Sequence, residues 1–478
     1  GSDIWITNSI LWSGTKYTGE GCYYDCSSED LHSDLNIYGD DLEIVNSSLH
    51  SRAEASNLNS YYRAYHKSYN YIDISVFNFE ITDSSLTTYS YSNYVEWGSS
   101  HRGVWSEIDI EASSFESDNS TILTEIGEPS DRDSGYLYPD FDITVDGDIE
   151  ITDSWLGVED WTDNYGNGNI EITETNYTLQ VLNSTIRSGL YACSATSFGC
   201  NSTYYNSDIH ILNSTFSYEL VISQSSNFNL HNSKINTDAA SLNIKITSVN
   251  VTTSDSEVGD FYIDSRTVKI TDMAKINSIQ MEDDVFNSFN YVTINNVTIT
   301  NELDAQEGGS LNLTNSTCSQ WANIAHDFVN MTNVSFGYYL NLASASNHAH
   351  LHNVTIVSQL FGTVNDLRLE DVETGYGANT LRVNKFWMSN STFEESSSNN
   401  DNYYIYVSDL DNTNNASSSD VYIFNSTIKF VTSSNSYSFA FDINTTGDIR
   451  MIDSEINATN FETSKIELEG SDIWITNS

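Results

Sequence analysis

The sequence predicts an all-β solenoid. Three observations carry this: a short motif that recurs from end to end, an even spacing of its polar anchors where it is densest, and a two-residue apolar alternation leading into each anchor. The motif reads apolar-x-apolar, then x-Asn/Asp, then Ser/Val-x and an apolar residue. It opens as Ile4-Trp5-Ile6-Thr7-Asn8-Ser9-Ile10 and returns as Ile149-Glu150-Ile151-Thr152-Asp153-Ser154 and Ile209-His210-Ile211-Leu212-Asn213-Ser214. Later copies include Val292 to Ile299, Ala349 to Ile356 and Phe386 to Phe393.

The Ile-x-Ile alternation is the period of a strand with one buried face, and the β-branched enrichment agrees. An Asn or Asp after it suits a bend, because these side chains tolerate left-handed backbone and bond neighbouring backbone. Stacked copies of the anchor would form an amide ladder. Anchors at 296, 315, 333, 353, 371 and 390 are spaced by 19, 18, 20, 18 and 19 residues, one solenoid coil each. Wider gaps, 8 to 46, 46 to 83, 112 to 153 and 390 to 425, hold weakly patterned coils or loops. Insertions are expected around Tyr17 to Ser33, Ser51 to Tyr69, Glu116 to Pro139, Arg187 to Tyr205 and Glu394 to Ser419, all rich in Ser, Asn, Asp and Tyr. About 19–22 coils at roughly 4.8 Å each give a rod of about 90–105 Å.

These coils, with Asn at a bend and Ile/Val/Leu ladders, resemble the right-handed parallel β-helix of the pectate-lyase-like superfamily and of microbial surface proteins built on it, archaeal ones among them. The resemblance spans the chain and implies fold, because the scaffold carries lyases, glycosidases, adhesins and inert rods alike. Its polygalacturonase branch would require Asn-Thr-Asp, Asp-Asp, Gly-His-Gly and Arg-Ile-Lys. Asn236-Thr237-Asp238 and Asp283-Asp284 occur, but the later two motifs do not. A lyase would need a basic residue in a groove of acidic calcium ligands, and basic residues are scarce and scattered. No catalytic, cofactor-binding or metal residue is assigned, and the chain is read as not an enzyme.

The chain has 478 residues, with 67 Asp+Glu against 18 Lys+Arg, a formal net charge of −49. Too few cations exist to neutralise phosphates, which argues against nucleic acid and anionic membrane as partners. Hydrophobic residues at 38% and aromatic ones at 12% suffice for a core, and no apolar run reaches the roughly 18 residues of a membrane span. Outward carboxylates recur, as at Asp109, Glu150, Glu171 and Glu467, and stacking them repels. Bound Ca2+ or saline surroundings would relieve this, although no EF-hand or Gly-Gly-x-Gly-x-Asp repeat is present. His348, His350 and His352 alternate along one strand face and could ligate Zn2+, but anchor alignment puts Arg368 beside His350 and Glu370 beside His352. A solvated strand face is the simpler reading.

Eighteen sequons favour an exported glycoprotein: Asn46, Asn119, Asn176, Asn183, Asn201, Asn213, Asn250, Asn296, Asn312, Asn315, Asn330, Asn333, Asn353, Asn390, Asn415, Asn425, Asn444 and Asn457. Cys22 with Cys26 and Cys193 with Cys200 are candidate disulfides within two loops, which suits an oxidising compartment. Cys318 takes the slot that Ile186 and Ile428 hold in equivalent motifs, as a small buried hydrophobe.

The first nine residues, Gly1 to Ser9, recur as the last nine, Gly470 to Ser478. The first residue is not Met and no signal sequence follows, so a mature form or an excised segment is expected. The segment would begin halfway through a coil, with no amphipathic helix or polar cap at either end. The expectation is a single continuous β-helix over 1–478, one 469-residue period of a tandem or end-to-end stacked fibre plus a short overlap. On this reading the charge amounts to about one net negative charge per 2 Å of rod. The expected function is a structural glycoprotein subunit of an extracellular filament, sheath or surface appendage, its partners copies of itself, end to end and laterally, and covalent glycans. The alternative is a carbohydrate-binding adhesin using aromatic residues such as Tyr61, Tyr62 and Tyr65. A polysaccharide lyase or hydrolase is third.

Overall fold

The computed structural model describes residues 2–18, 31–58, 67–94, 103–127, 136–145, 147–160, 169–173, 178–186, 189–193, 207–216, 220–235, 243–273, 275–281, 291–375, 380–395, 403–408, 419–431, 437–459 and 461–478. Among them every helix or strand element is a strand, and the strand pairings are parallel, as the all-β expectation requires. The chain divides into two compact units, Gly1–Val249 and Asn250–Ser478.

In the first unit each strand pairs with the strand one repeat further along the chain, so three ladders run side by side. One passes from Ile4–Thr7 to Asp41–Val45, Asn78–Thr82, Ser114–Asp118 and Ile149–Thr152. The second starts at Ile10–Thr18 and Ser48–Leu58, the third at Leu31–Tyr38 and Lys67–Ser75. Because register keeps the alternation in phase, like residues stack. Leu42, Phe79, Phe115 and Ile149 form one buried column, and Ile44, Ile81 and Ile151 line another. Burying each such side chain contributes roughly 1.5–3 kcal/mol.

From Asn296 to Asn390 the second unit repeats on a shorter period, and single strands there serve more than one ladder. Ala322–Phe336 pairs along its length with Leu340–Ile356, which pairs with Leu360–Thr374. Its core columns include Leu311, Val329, Ala349, Leu367 and Phe386.

Between the first two ladders sits a corner residue in the left-handed region, always Asn or Asp. Nineteen described non-glycine residues have φ between 44° and 57°. Most are Asn/Asp anchors of the sequence motif, but between Asp83 and Asp153 the corner is Asn119 and not residue 112.

The expected insertions need correcting in part. Ser51–Leu58 continues the strand Ser48–Leu58, and Glu116 to Gly127 lies mostly in the strands Ser114–Asp118 and Thr121–Gly127. The strands Gly189–Cys193 and Tyr403–Val407 fall in two further ranges read as loops. Tyr403–Val407 keeps the alternation, with Tyr403, Ile405 and Val407 inward, but around Ser51 it lapses because inward positions hold hydroxyl and amide side chains. Ser33 and Ser51 Oγ lie 3.1 Å apart, Asn70 Nδ2 donates to Ser51 O at 2.6 Å, and Ser106 Oγ donates to Thr88 Oγ1 at 3.0 Å.

Candidate functional site

The corner is the unit from which the recurrent geometry is built. Left-handed backbone costs an L residue roughly 1–2 kcal/mol, and Asn or Asp offsets this with local hydrogen bonds. Here the bonds run along the stack. Asn46 Nδ2 donates to Asn8 Oδ1 at 2.5 Å, Asn119 to Asp83 at 2.6 Å, Asn333 to Asn315 at 2.9 Å, and Asn353 to Asn333 at 2.8 Å. In each the later corner donates to the earlier one.

The residue after the corner adds a second ladder. Ser47 Oγ donates to Val45 O at 2.8 Å and accepts from Ser9 N at 3.0 Å, while Ser47 N donates to Ser84 Oγ at 3.0 Å. The relay continues through Ser120, Ser154, Ser184, Ser214 and Ser233.

Ten sequons fall on these corners: Asn46, Asn119, Asn183, Asn213, Asn296, Asn315, Asn333, Asn353, Asn390 and Asn425. Each letter of the sequon has structural work there: Asn makes the left-handed corner, Ser or Val is buried, and Thr or Ser begins the next strand or, after Asn333 and Asn353, continues the same one. Asn250, Asn312, Asn330, Asn444 and Asn457 lie on strands instead. Asn176, Asn201 and Asn415 lie outside the described residues, as do Cys22, Cys26, Cys200, Tyr61, Tyr62, Tyr65, Asn236 to Asp238, Asp283 and Asp284. Cys193 closes the strand Gly189–Cys193 rather than lying in a loop.

Cys318 is a free, buried thiol in register with Ile299 and Phe336, and burial pushes its pKa up to about 11. His326, fully buried, has its pKa lowered to about 4 by desolvation. Aligning the sequence by its anchors did not single it out, since the neighbouring Gly308 that makes room for the ring carries no side-chain signal.

In the first unit the column three residues before the corner is acidic: Glu43, Glu80, Glu116 and Glu150 stand in register below Trp5. Desolvation, with Glu80, Glu150 and Asp118 nearby, raises the pKa of Glu116. Asp73, Asp109, Asp142 and Glu171 form a second acidic column.

The second unit carries a different column at the same position: Asn312, Asn330, His350, Arg368, Trp387, Tyr422, Arg450 and Trp474. The Arg368 guanidinium lies 4.4 Å from the Trp387 ring centroid, and that of Arg450 lies 4.9 Å from Trp474. The expected register of Arg368 with His350 and of Glu370 with His352 is found. His350 Nε2 and His352 Nδ1 lie 3.5 and 3.3 Å from Glu370 Oε2, and His348 Nδ1 lies 3.4 Å from Asp366 Oδ2. Among the described residues no group of three or more His, Cys, Asp or Glu is arranged to hold a metal ion.

The repeated nonapeptide forms the strand Ile4–Thr7 in one copy and Ile473–Thr476 in the other. The first pairs with Asp41–Val45, which follows it, and the second with Ile449–Ile452, which precedes it. Each copy therefore uses the edge the other leaves unpaired among the described residues. Comparison with protein-family models, with curated proteins and with solved structures finds no match.

Proposed function

We propose that the protein is a structural glycoprotein of an extracellular filament, sheath or surface appendage, each unit a right-handed parallel β-helix, and that strand stacking continues from copy to copy through the nonapeptide. The observation that carries this reading is the complementary bonding of its two copies. Ser478 Oγ accepts from Ser454 N at 3.2 Å, while Ser9, its equivalent, donates from N to Ser47 Oγ at 3.0 Å. Asp453 N donates to Thr476 O at 2.9 Å, and Asn8 N donates to Val45 O at 3.0 Å. Superposing the two copies merges these half-sets into one uninterrupted relay, with Trp5/Trp474 between Arg450 and Glu43.

Burial supports the same reading. Ile6 is 9% exposed under the strand that follows it, whereas its equivalent Ile475 is 53% exposed. Continuation would cover Ile473 and Ile475, removing open strand edges that otherwise invite adventitious pairing. The activity is mechanical: backbone ladders resist bending and shear, and carboxylates with glycans keep the surface solvated. Ca2+ would act as a counter-ion to the acidic columns, with no defined site.

Cryo-electron microscopy of native material tests the proposal. Filaments with strands stacked about 4.8 Å apart along the axis are expected, and discrete, non-assembled particles in the native envelope would refute it.

A further inference from the structure

Position five before the corner lines up, in the second unit, as Tyr291, Ser310, Phe328, His348 and Asp366. Phe328 stacks on His348, with centroids 5.1 Å apart and planes inclined by 11°, and His348 in turn lies 3.4 Å from Asp366. The other neighbour of Phe328 is Ser310, preceded by Gly308 and Gly309, so no bulky side chain fills that level of the stack. Tyr291 stands one strand beyond Ser310. Both rings are open to solvent, Tyr291 at 61% and Phe328 at 54%.

Two strand spacings separate these aromatics, about 9.6 Å. A flat ring midway would lie about 4.8 Å from each, inside the roughly 4.5–7 Å range of stacked rings. From this level a recess of about 370 Å³ runs past Phe328, away from Tyr291, lined by Ser310, Asn312, Phe328, Asn330, His348 and Arg368 among others. That volume falls in the range of small-molecule sites, and its lining pairs an aromatic platform with converging amide, imidazole and guanidinium groups.

We propose that the level over Ser310, between Tyr291 and Phe328, seats one pyranose ring. The C–H faces of a pyranose are apolar and complement the negative faces of aromatic rings, while its equatorial hydroxyls reach sideways to Asn312, on the strand of Ser310, and to Asn330, one strand further on beside Phe328. The sugar has two possible sources with the same chemistry. It is either a free saccharide or the first residue of a glycan on Asn312, a sequon two residues from Ser310 on the same strand face. Asn312 Oδ1 accepts from Asn330 Nδ2 at 3.4 Å, and Asn312 Nδ2 donates to no described residue. Corner asparagines such as Asn333 instead commit Nδ2 to the ladder. Attachment would form an Nδ2–C1 bond, break the C1–O bond to the phosphate of an activated sugar donor, and release one amide proton.

Two arms test the seat and tell its sources apart. In native material, glycopeptide mapping reads Asn312, and a sugar there should show ring-proton resonances shifted upfield by the flanking rings, a shift lost in Phe328→Ala. If Asn312 carries no sugar, the full unmodified chain is titrated with methyl β-glucopyranoside, methyl α-mannopyranoside and N-acetylglucosamine by saturation-transfer NMR. At least one should bind, with affinity falling about tenfold in Phe328→Ala and in Tyr291→Ala and unchanged in Tyr338→Ala. A sugar on Asn312 without ring-current shifts would overturn the proposal. So would the absence of both attachment and binding, or binding that survives the Tyr291→Ala/Phe328→Ala double substitution.

Discussion

Asn477 donates its side-chain amide to Asp453 Oδ1 at 3.0 Å, whereas Asn8, the same residue in the other nonapeptide, accepts from Asn46 at 2.5 Å. One copy supplies the donor half of the corner ladder and the other the acceptor half. Since these corner bonds point from later to earlier repeats, the ladder has a polarity that head-to-tail continuation preserves and head-to-head contact would break.

Corner asparagines should be costly to replace. Asn333 has φ 57° and lies in two ladder bonds, to Asn315 and from Asn353. Asn333→Ala is expected to cost about 2–4 kcal/mol, from left-handed strain and lost hydrogen bonds. Asn333→Gly, which relieves the strain, should cost about 1–2 kcal/mol less. Denaturant midpoints of the two variants read the difference.

Glu116 should make the first unit more stable in mild acid. Glu116 has a raised folded-state pKa, so the folded state holds its proton in preference to the unfolded chain. Its contribution improves as pH falls through the folded pKa and levels off below the ordinary glutamate value. Glu116→Gln should raise the melting temperature at pH 7 and flatten this dependence. Added salt should do likewise.

His326 should act in the opposite direction. Its folded pKa of about 4 lies below the ordinary histidine value of 6.5, so the unfolded state takes up the proton first. Stability is lost as pH falls from about 6.5 towards 4, by up to roughly 3 kcal/mol. His326→Leu should remove that slope. Gly308→Ala, whose new Cβ would lie 2.6 Å from His326 Nε2, should destabilise at every pH.

Cys318 should be inert while the chain is folded, because its thiol is buried and its pKa is pushed up to about 11. A thiol reagent at pH 8 is expected to label it only after denaturation. Rapid labelling of the native chain would contradict its place in the core.

The corners were legible in the sequence because one backbone conformation and one ladder together admit few residue types, as at Asn296, Asn315 and Asn333. The strand Ser48–Leu58 was not, since its inward positions hold Ser51 and the small Ala53, and Ser51 is satisfied by hydrogen bonds with Ser33, 18 residues away. The pairing of Tyr291 and Phe328 across Ser310 was also missed, because neither residue is unusual in its own strand. Aligning chain segments on the corner and reading the fifth position upstream would have found it.

The central claim is that one 469-residue period follows another through a shared nonapeptide, and tryptic peptide mapping of native material tests it most directly. Cleavage after Lys465 and Lys16 should release a single peptide that runs from Ile466 through Ser478 straight into Ile10 through Lys16. Finding that peptide would establish the tandem junction, whereas finding Ser478 as a chain terminus, or followed by any other sequence, would contradict it.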